Sequence, residues 1–563
     1  MKFSELEYCR PDLAKLEAEL VACIAKLASP ESSLEQQVEA ILVANTLRKT
    51  YQSQQTLARI RHSINSLDPI YHAEQKFFDQ HDPKIQDLVV QLYHAVVSSP
   101  HIDGLTKRFG DEFIATAKRS SRTSSLKVLP LLEEENRLVS EYQQLMAAVR
   151  VDFEGKQYNL SQFGRFNQSP NRQTRIAAQT ALATAMTNNR PAFDSLYDQL
   201  VLLRVKIAKE LGYSNFIELS YDRMNRGGYN QKDVAVFREA IKKYVVPLAT
   251  EFVQQQQERL GLEHLYFYDL PISYPNGNPE PTGTVQEQID HASKMYAELS
   301  PETKQFWDFM VKHELMDLPA RDGKFPGGYA TMLYDTKMPF IFANFNGTSD
   351  DIGVLTHEVG HTFQAYCSKD FELIEDVWPT LEACEIHSES MEFLTWPWMD
   401  LFFAERTKDF KYDAVTRLLR FLPYAACVDH FQEEVYNNPN LTPTERCLRW
   451  RELEKEYLPH KDYAGFDYYE QGCFWFMQRH IFVNPFYYID YALARVCAIQ
   501  FWLESERDFK QAWQRYLGLC RLGGSKNFFE LLKACELQSP FQDATLASVV
   551  QQSSDWIKNF RKS

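Results

Sequence analysis

Two histidines four residues apart, His357 and His361, with Glu358 beside the first, have the spacing that can hold a catalytic zinc ion. On a helix, residues i and i+4 lie one above the other. Both imidazoles can then reach one ion while Glu358 addresses a water on it, and the chemistry implied is hydrolysis. The surrounding residues support a helix. Ser349-Asp350-Asp351 supplies an N-cap and two acids for its positive end, and Ile352, Leu355, Val359, Phe363 and Tyr366 recur at steps of three and four. The pattern predicts a helix ending near Cys367-Ser368, its apolar stripe turned away from the histidines. The bland alternative is a pair of solvated or core histidines.

A catalytic zinc takes three protein donors and keeps one position open. Downstream, Glu382, Glu385, Glu389 and Glu392 recur at steps of three and four, so they share one helical face. Four carboxylates on one face repel unless something positive lies opposite, yet this segment runs directly into the core-like Phe393-Leu394-Thr395-Trp396. A metal and its supporting groups resolve that conflict; otherwise the face is an exposed acidic one.

These residues resemble the oligoendopeptidase F and thimet oligopeptidase family of zinc peptidases, nearest the bacterial Pz-peptidase branch. That family carries HExGH, a glutamate 28 residues after the first histidine and another seven later, the positions of Glu385 and Glu392 relative to His357. The resemblance implies one zinc ion per chain, held by His357, His361 and Glu385. It makes Glu358 the general base acting on a zinc-bound water, and Glu392, with Glu389 as a further candidate, a carboxylate supporting the ligands.

A second constellation begins at His480 and continues through Tyr487, Tyr488 and Tyr491. Peptide hydrolysis passes through a tetrahedral oxyanion, which a phenol or imidazole donor can stabilise. Without that chemistry the tyrosines read as an aromatic core cluster beside Phe482 and Phe486. By resemblance, Tyr491 serves the oxyanion, Tyr488 the oxyanion or substrate, His480 the substrate backbone, and Tyr487 the substrate.

Upstream of the motif, 327–334 and 338–347 read as two strands of a hairpin, with Asp335-Thr336-Lys337 between them. Such an edge can pair with an extended peptide, and Gly327, Gly328 and Tyr329 are expected to lie against substrate there. A purely structural hairpin explains the same residues. The chain departs from family patterns at Gln364, where many relatives have histidine, and at Asn484-Pro485-Phe486, where the thimet branch has a glycine-rich loop. The second change predicts a stiffer wall near His480.

At 563 residues, 44% hydrophobic and 24% charged, the chain can bury a large core and reads as a globular protein of more than one unit. Net charge −15 without a basic patch excludes nucleic acid as a partner. Ten cysteines without a CxxC pair suit a reduced interior, and neither a leader-like start nor an apolar run of membrane-spanning length is visible. The expected location is cytoplasmic, with no membrane and no obligate protein partner.

Periodicity predicts long helices over Ser33 to Leu67, closed by Pro69, over Lys84 to Val97, and over Leu131 to Val149. A small hairpin follows at 151–160, and then a helix with Pro170 in its first turn. Leu270 to Val285 reads as irregular. The fold expected is mainly α: a helical two-lobed peptidase enclosing a deep cleft, with a small β-sheet beside the zinc helix. Residues 1–150 form a helical region contributing to the cleft wall and 151–563 the catalytic region. The function expected is a zinc endopeptidase cutting short peptides. A dipeptidyl carboxypeptidase or aminopeptidase needs, in addition, a fixed charge to seize a chain terminus, and a helical scaffold with a silent zinc site is the reading from outside enzymology.

Overall fold

Three long helices, α1 (Leu13–Ala28), α2 (Leu34–Ile64) and α3 (Pro69–Val97), open the computed structural model, which describes residues 1–125 and 127–562. Ser33 and Gln36 form a reciprocal capping box at the start of α2, satisfying two N–H groups the helix leaves bare. Pro69 does not close this helix, which has already ended at Ile64. It occupies the first turn of α3, where its missing N–H would have had no partner anyway, and Asp68 caps that turn. The helix expected from Lys84 therefore begins much earlier and carries Pro83 within it.

Pro170 is likewise displaced by one step. Asn171 caps the long helix Arg172–Glu210 through its side-chain oxygen, leaving Pro170 ahead of the cap. The small hairpin pairs β1 (Val151–Phe153) with β2 (Lys156–Tyr158). Glu154 and Gly155 both have positive φ, matching the tight turn that two-residue hairpins favour. The irregular stretch ends where Thr284 caps the helix Val285–Leu299.

Buried apolar side chains fall into two clusters. One joins α1–α3 to Leu105, Phe113 and Ile114; the larger runs through Trp307, Phe363, Trp450, Trp475 and Trp502 and holds the remaining helices together. A cavity of about 1340 Å³ lies between α3 and the segment Val483 to Tyr487, so the N-terminal helices face the second constellation across a cleft. Among the described residues, no helix is long and apolar enough to cross a membrane.

A three-stranded sheet runs in the order β3 (Met316–Pro319), β5 (Met338–Phe345), β4 (Tyr329–Leu333). The predicted hairpin is β4–β5, paired antiparallel from Tyr329↔Phe342 to Leu333↔Met338. Strand β3 was not visible in the sequence. It is short and lies parallel to β5, making β5 the central, almost wholly buried strand and leaving β4 at an edge. The end of β5 feeds, through Asn346 and Gly347, into the helix Asp350–Ser368 that carries the histidine motif. Ser349 stands at its N-terminus but makes no side-chain cap; the Asp351 carboxylate instead accepts the N–H groups of Asn346 and Gly347, and Asp350 pairs with Arg417. The expected mainly α fold with a small sheet beside the histidine helix is the one observed.

Candidate active site

The helix Asp350–Ser368 buries Ile352, Leu355, Val359 and Phe363 completely, and this packing fixes the opposite rotation of His357 and His361. Against it lies the glutamate helix, Leu381–Leu394. Gly360 explains how closely they approach: a Cβ there would stand 2.6 Å from the His387 carbonyl oxygen and from Ser388 Cα, so any side chain would force the helices apart. That close crossing brings Glu385 to the histidines. Its Oε2 is 3.3 Å from His357 Nε2 and 3.5 Å from His361 Nε2, and the three donor atoms lie within 4.8 Å of one another.

These separations fit a metal. Zinc bonds of about 2.0–2.2 Å in tetrahedral array place donors about 3.3–3.6 Å apart. Two of the three candidate ligands are held from behind. His357 Nδ1 is 2.8 Å from Glu392 Oε1, which leaves Nε2 facing Glu385, and Ser388 Oγ donates to Glu385 Oε2 at 3.0 Å. Burial opposes charge on His357, but Glu385 and Glu392 outweigh it and raise its pKa well above the ordinary value. Burial likewise opposes ionisation of Glu385, yet hydrogen bonding and attraction to the two histidines hold its carboxyl well below the usual range. The pocket therefore favours a cation.

Glu358 follows His357 on the same helix. It is 8% exposed, and its Oε2 has no hydrogen-bond partner, a costly arrangement unless some group not part of the chain meets it. Burial raises its carboxyl pKa. Gly328 packs against the other oxygen, since a Cβ there would lie 3.4 Å from Glu358 Oε1. The start of β4 thus adjoins the acid. Gly327 precedes it with φ +98°, and the Tyr329 ring stacks on Phe342 at 4.9 Å.

The other glutamates of the face diverge. Glu389 bonds Arg495 at 2.8 Å, and burial pushes its pKa up to about 7; it is one step removed from the histidines. Glu382 is fully buried toward Arg226, whose attraction opposes a rise caused by burial.

The second constellation converges on the first. His480 sits 4.9 Å from the Tyr488 ring and 5.9 Å from that of Tyr491, centre to centre. Burial, with Arg479 adding, lowers its pKa to about 4, so the ring is neutral at pH 7. Tyr424 donates to Gln478 Oε1 at 2.7 Å, orienting the amide so that Gln478 Nε2 donates to His480 Nδ1 at 2.9 Å. That chain places the ring proton on Nε2, as a donor. Burial pushes Tyr488 up to about 12, and burial plus the negative field of Glu385 raises Tyr491, so both phenols stay protonated.

Tyr487, expected against substrate, lines the large cavity and also donates its hydroxyl to Glu385 Oε1 at 2.7 Å, across 102 positions of sequence. No local pattern announces such a partner; its neighbours Tyr488 and Tyr491 were the only hint. The stiff wall predicted at Asn484-Pro485-Phe486 is held in place: Ser220 Oγ donates to the Pro485 carbonyl, Phe486 N–H to Gln432 Oε1, and Arg226 to the Phe486 carbonyl, with Phe486 at φ +68°. Arg226 also pairs with Asp490, both fully buried. Gln364, in place of a family histidine, is buried and donates to Ser368 Oγ and the Val377 carbonyl, away from the metal set.

Beside His357 and Glu358 opens a cavity of about 540 Å³ lined by Val354, Trp396, Met399, Phe410, Leu418 and Phe421 together with Asp350, Glu392, Arg417 and Arg495. The geometry is thus a three-donor cation site, a buried carboxylate without a partner, an array of neutral donors, and a pocket of mixed apolar and charged lining alongside.

The chain is similar to known peptidases along most of its length. Residues 3–124 match the Peptidase M3 N-terminal domain. Oligoendopeptidase F homolog of Lactococcus lactis subsp. lactis (strain IL1403) is 26% identical over 140 residues, covering 25% of this chain and 23% of that protein. Oligopeptidase PepF of Bacillus subtilis (strain 168) is 22% identical over 306 residues, covering 52% and 44%. The chain thus aligns with less than half the length of these curated relatives. A solved structure of Pz peptidase A with an inhibitor superposes with a TM-score of 0.94 at 46% identity, covering 99% of both chains. Peptidase family M3 is matched over 165–551, which includes both helices of the cation site and the whole tyrosine segment, and the chain belongs to that family.

Proposed function

We propose that this chain is a zinc-dependent endopeptidase that hydrolyses internal bonds of short oligopeptides. Membership of Peptidase family M3 supports a peptidase, and the endopeptidase reading is the proposal built on it. The reading rests on one observation: two imidazole nitrogens and one carboxylate oxygen meet at zinc-ligand spacing beside a buried carboxylate that has no partner. His357, His361 and Glu385 hold the ion. When bound, it supplies Lewis acidity, polarising a carbonyl and lowering the pKa of water.

The chain's own groups do the rest. Glu358 takes the proton of the attacking water and passes it to the leaving nitrogen; burial, by raising its pKa, makes the carboxylate a stronger base. Tyr491 donates its O–H to the carbonyl oxygen as negative charge develops there, helped by Tyr488 or by the Nε2–H of neutral His480. Gly327, Gly328 and Tyr329 bring the β4 edge against an extended substrate. Glu392 keeps His357 in its metal-binding orientation.

The 1340 Å³ cavity, walled by α3 and lined by Tyr487, suits an unfolded, short chain. The pocket beside Glu358, apolar side chains interspersed with Arg417 and Arg495, takes a substrate side chain. Ten free cysteines suit a cytoplasmic setting. Internally quenched peptides blocked at both ends are expected to be cut at internal bonds, with activity removed by chelation and restored by zinc. Cleavage confined to peptides with a free terminus would instead assign a carboxypeptidase or aminopeptidase.

A further inference from the structure

We propose that Tyr487 is a positioning residue for Glu385, one that sets this carboxylate as a single-oxygen ligand. The inference rests on the metal assignment above. The two oxygens of Glu385 have separate surroundings. Oε2 faces both histidine nitrogens and accepts from Ser388 Oγ, whereas Oε1 points away and accepts the Tyr487 hydroxyl at 2.7 Å. A phenol donating to a buried carboxylate makes a charge-assisted bond, and the alternative, an unpartnered buried oxygen, is costly.

Tyr487 is braced for this task. It immediately precedes the helix Tyr488–Ser505, and its N–H donates to the Asn484 carbonyl at 3.2 Å. The preceding Phe486 is fixed in a left-handed conformation by Gln432 and Arg226, and Arg226 is locked to Asp490 one turn into the helix. The ring's flank lines the large cavity and lies 5.1 Å from the Tyr491 ring. One short segment therefore carries the group directed at the metal ligand, Tyr487, and Tyr491, whose hydroxyl shares a hydrogen bond with that of Tyr487. Without the hydroxyl, Glu385 can turn Oε1 toward the ion, changing the coordination number and loosening the grip.

The test compares Tyr487→Phe with the unaltered chain by zinc competition against a chelator of known affinity, and by the visible absorption of the cobalt-loaded forms. The substitution keeps the ring but leaves buried Glu385 Oε1 without its donor, so the metal-free melting temperature should fall slightly while the circular dichroism spectrum stays that of the unaltered chain. The zinc dissociation constant should rise about 10–100-fold, the usual consequence of losing an outer partner of a ligand. The cobalt spectrum should change in intensity as coordination changes, and KM at saturating zinc should move little. Unchanged zinc affinity and an unchanged cobalt spectrum, with KM raised instead, would return Tyr487 to substrate binding and overturn the proposal. Failure of the unaltered chain itself to bind zinc overturns the metal assignment and this inference with it, so the two failures are distinguishable.

Discussion

Glu358→Gln is expected to bind zinc as the unaltered chain does while kcat falls by about 10²–10⁴-fold, the range for losing a general acid or base. Glutamine keeps the shape and buried volume of the side chain but cannot accept and return a proton. The separation of metal binding from turnover follows from geometry. Glu358 is not among the three converging donors, and its Oε2 is without a partner where theirs are engaged. The pH profile should change as well. The carboxylate is the working form, so activity of the unaltered chain falls as pH drops through the Glu358 pKa, and this limb should vanish in the variant. Quenched-peptide kinetics on protein of measured zinc content check both points. Near-normal turnover in zinc-loaded variant would remove Glu358 from the base role.

Tyr491→Phe should reduce kcat by about 10²–10³-fold, the cost of deleting one oxyanion donor, while zinc content and KM stay close to those of the unaltered chain. An interaction made only as the oxyanion forms acts on kcat rather than on ground-state binding. Tyr491 has the required character: burial and Glu385 keep its phenol protonated, and His480 and Tyr488 stand within ring-contact distance. If kcat and KM are both unchanged, Tyr491 is only part of the aromatic cluster it sits in.

The histidine pair of the candidate site is legible because its geometry follows from local rules, whereas the choice of Glu385 among four acids comes from the family resemblance. His357 and His361 share a face by helical periodicity, and the glutamate face at 382–392 stood out because four acids ran into an apolar segment. The β4–β5 hairpin was readable for a similar reason, being closed by its own turn. What escaped was non-local. Strand β3 is four residues long and gains its identity only by parallel pairing with β5. Pro69 and Pro170 marked helix boundaries correctly in kind but on the wrong side, because proline is tolerated just inside a helix start and also just ahead of the cap. The role of Gly360 depends on a backbone that approaches from another helix. The commitment of Tyr487 to Glu385, and the lock of Arg226 on Asp490, join segments far apart in sequence, so no spacing announces them.

The central claim is that His357, His361 and Glu385 grip one zinc ion and leave it a free position. Diffraction recorded at the zinc absorption edge from crystals of the zinc-loaded chain tests it most directly. The account predicts one anomalous peak about 2.0–2.2 Å from the Nε2 atoms of both histidines and from Glu385 Oε2. A peak elsewhere, or none beside these three side chains in protein supplied with zinc, would contradict it.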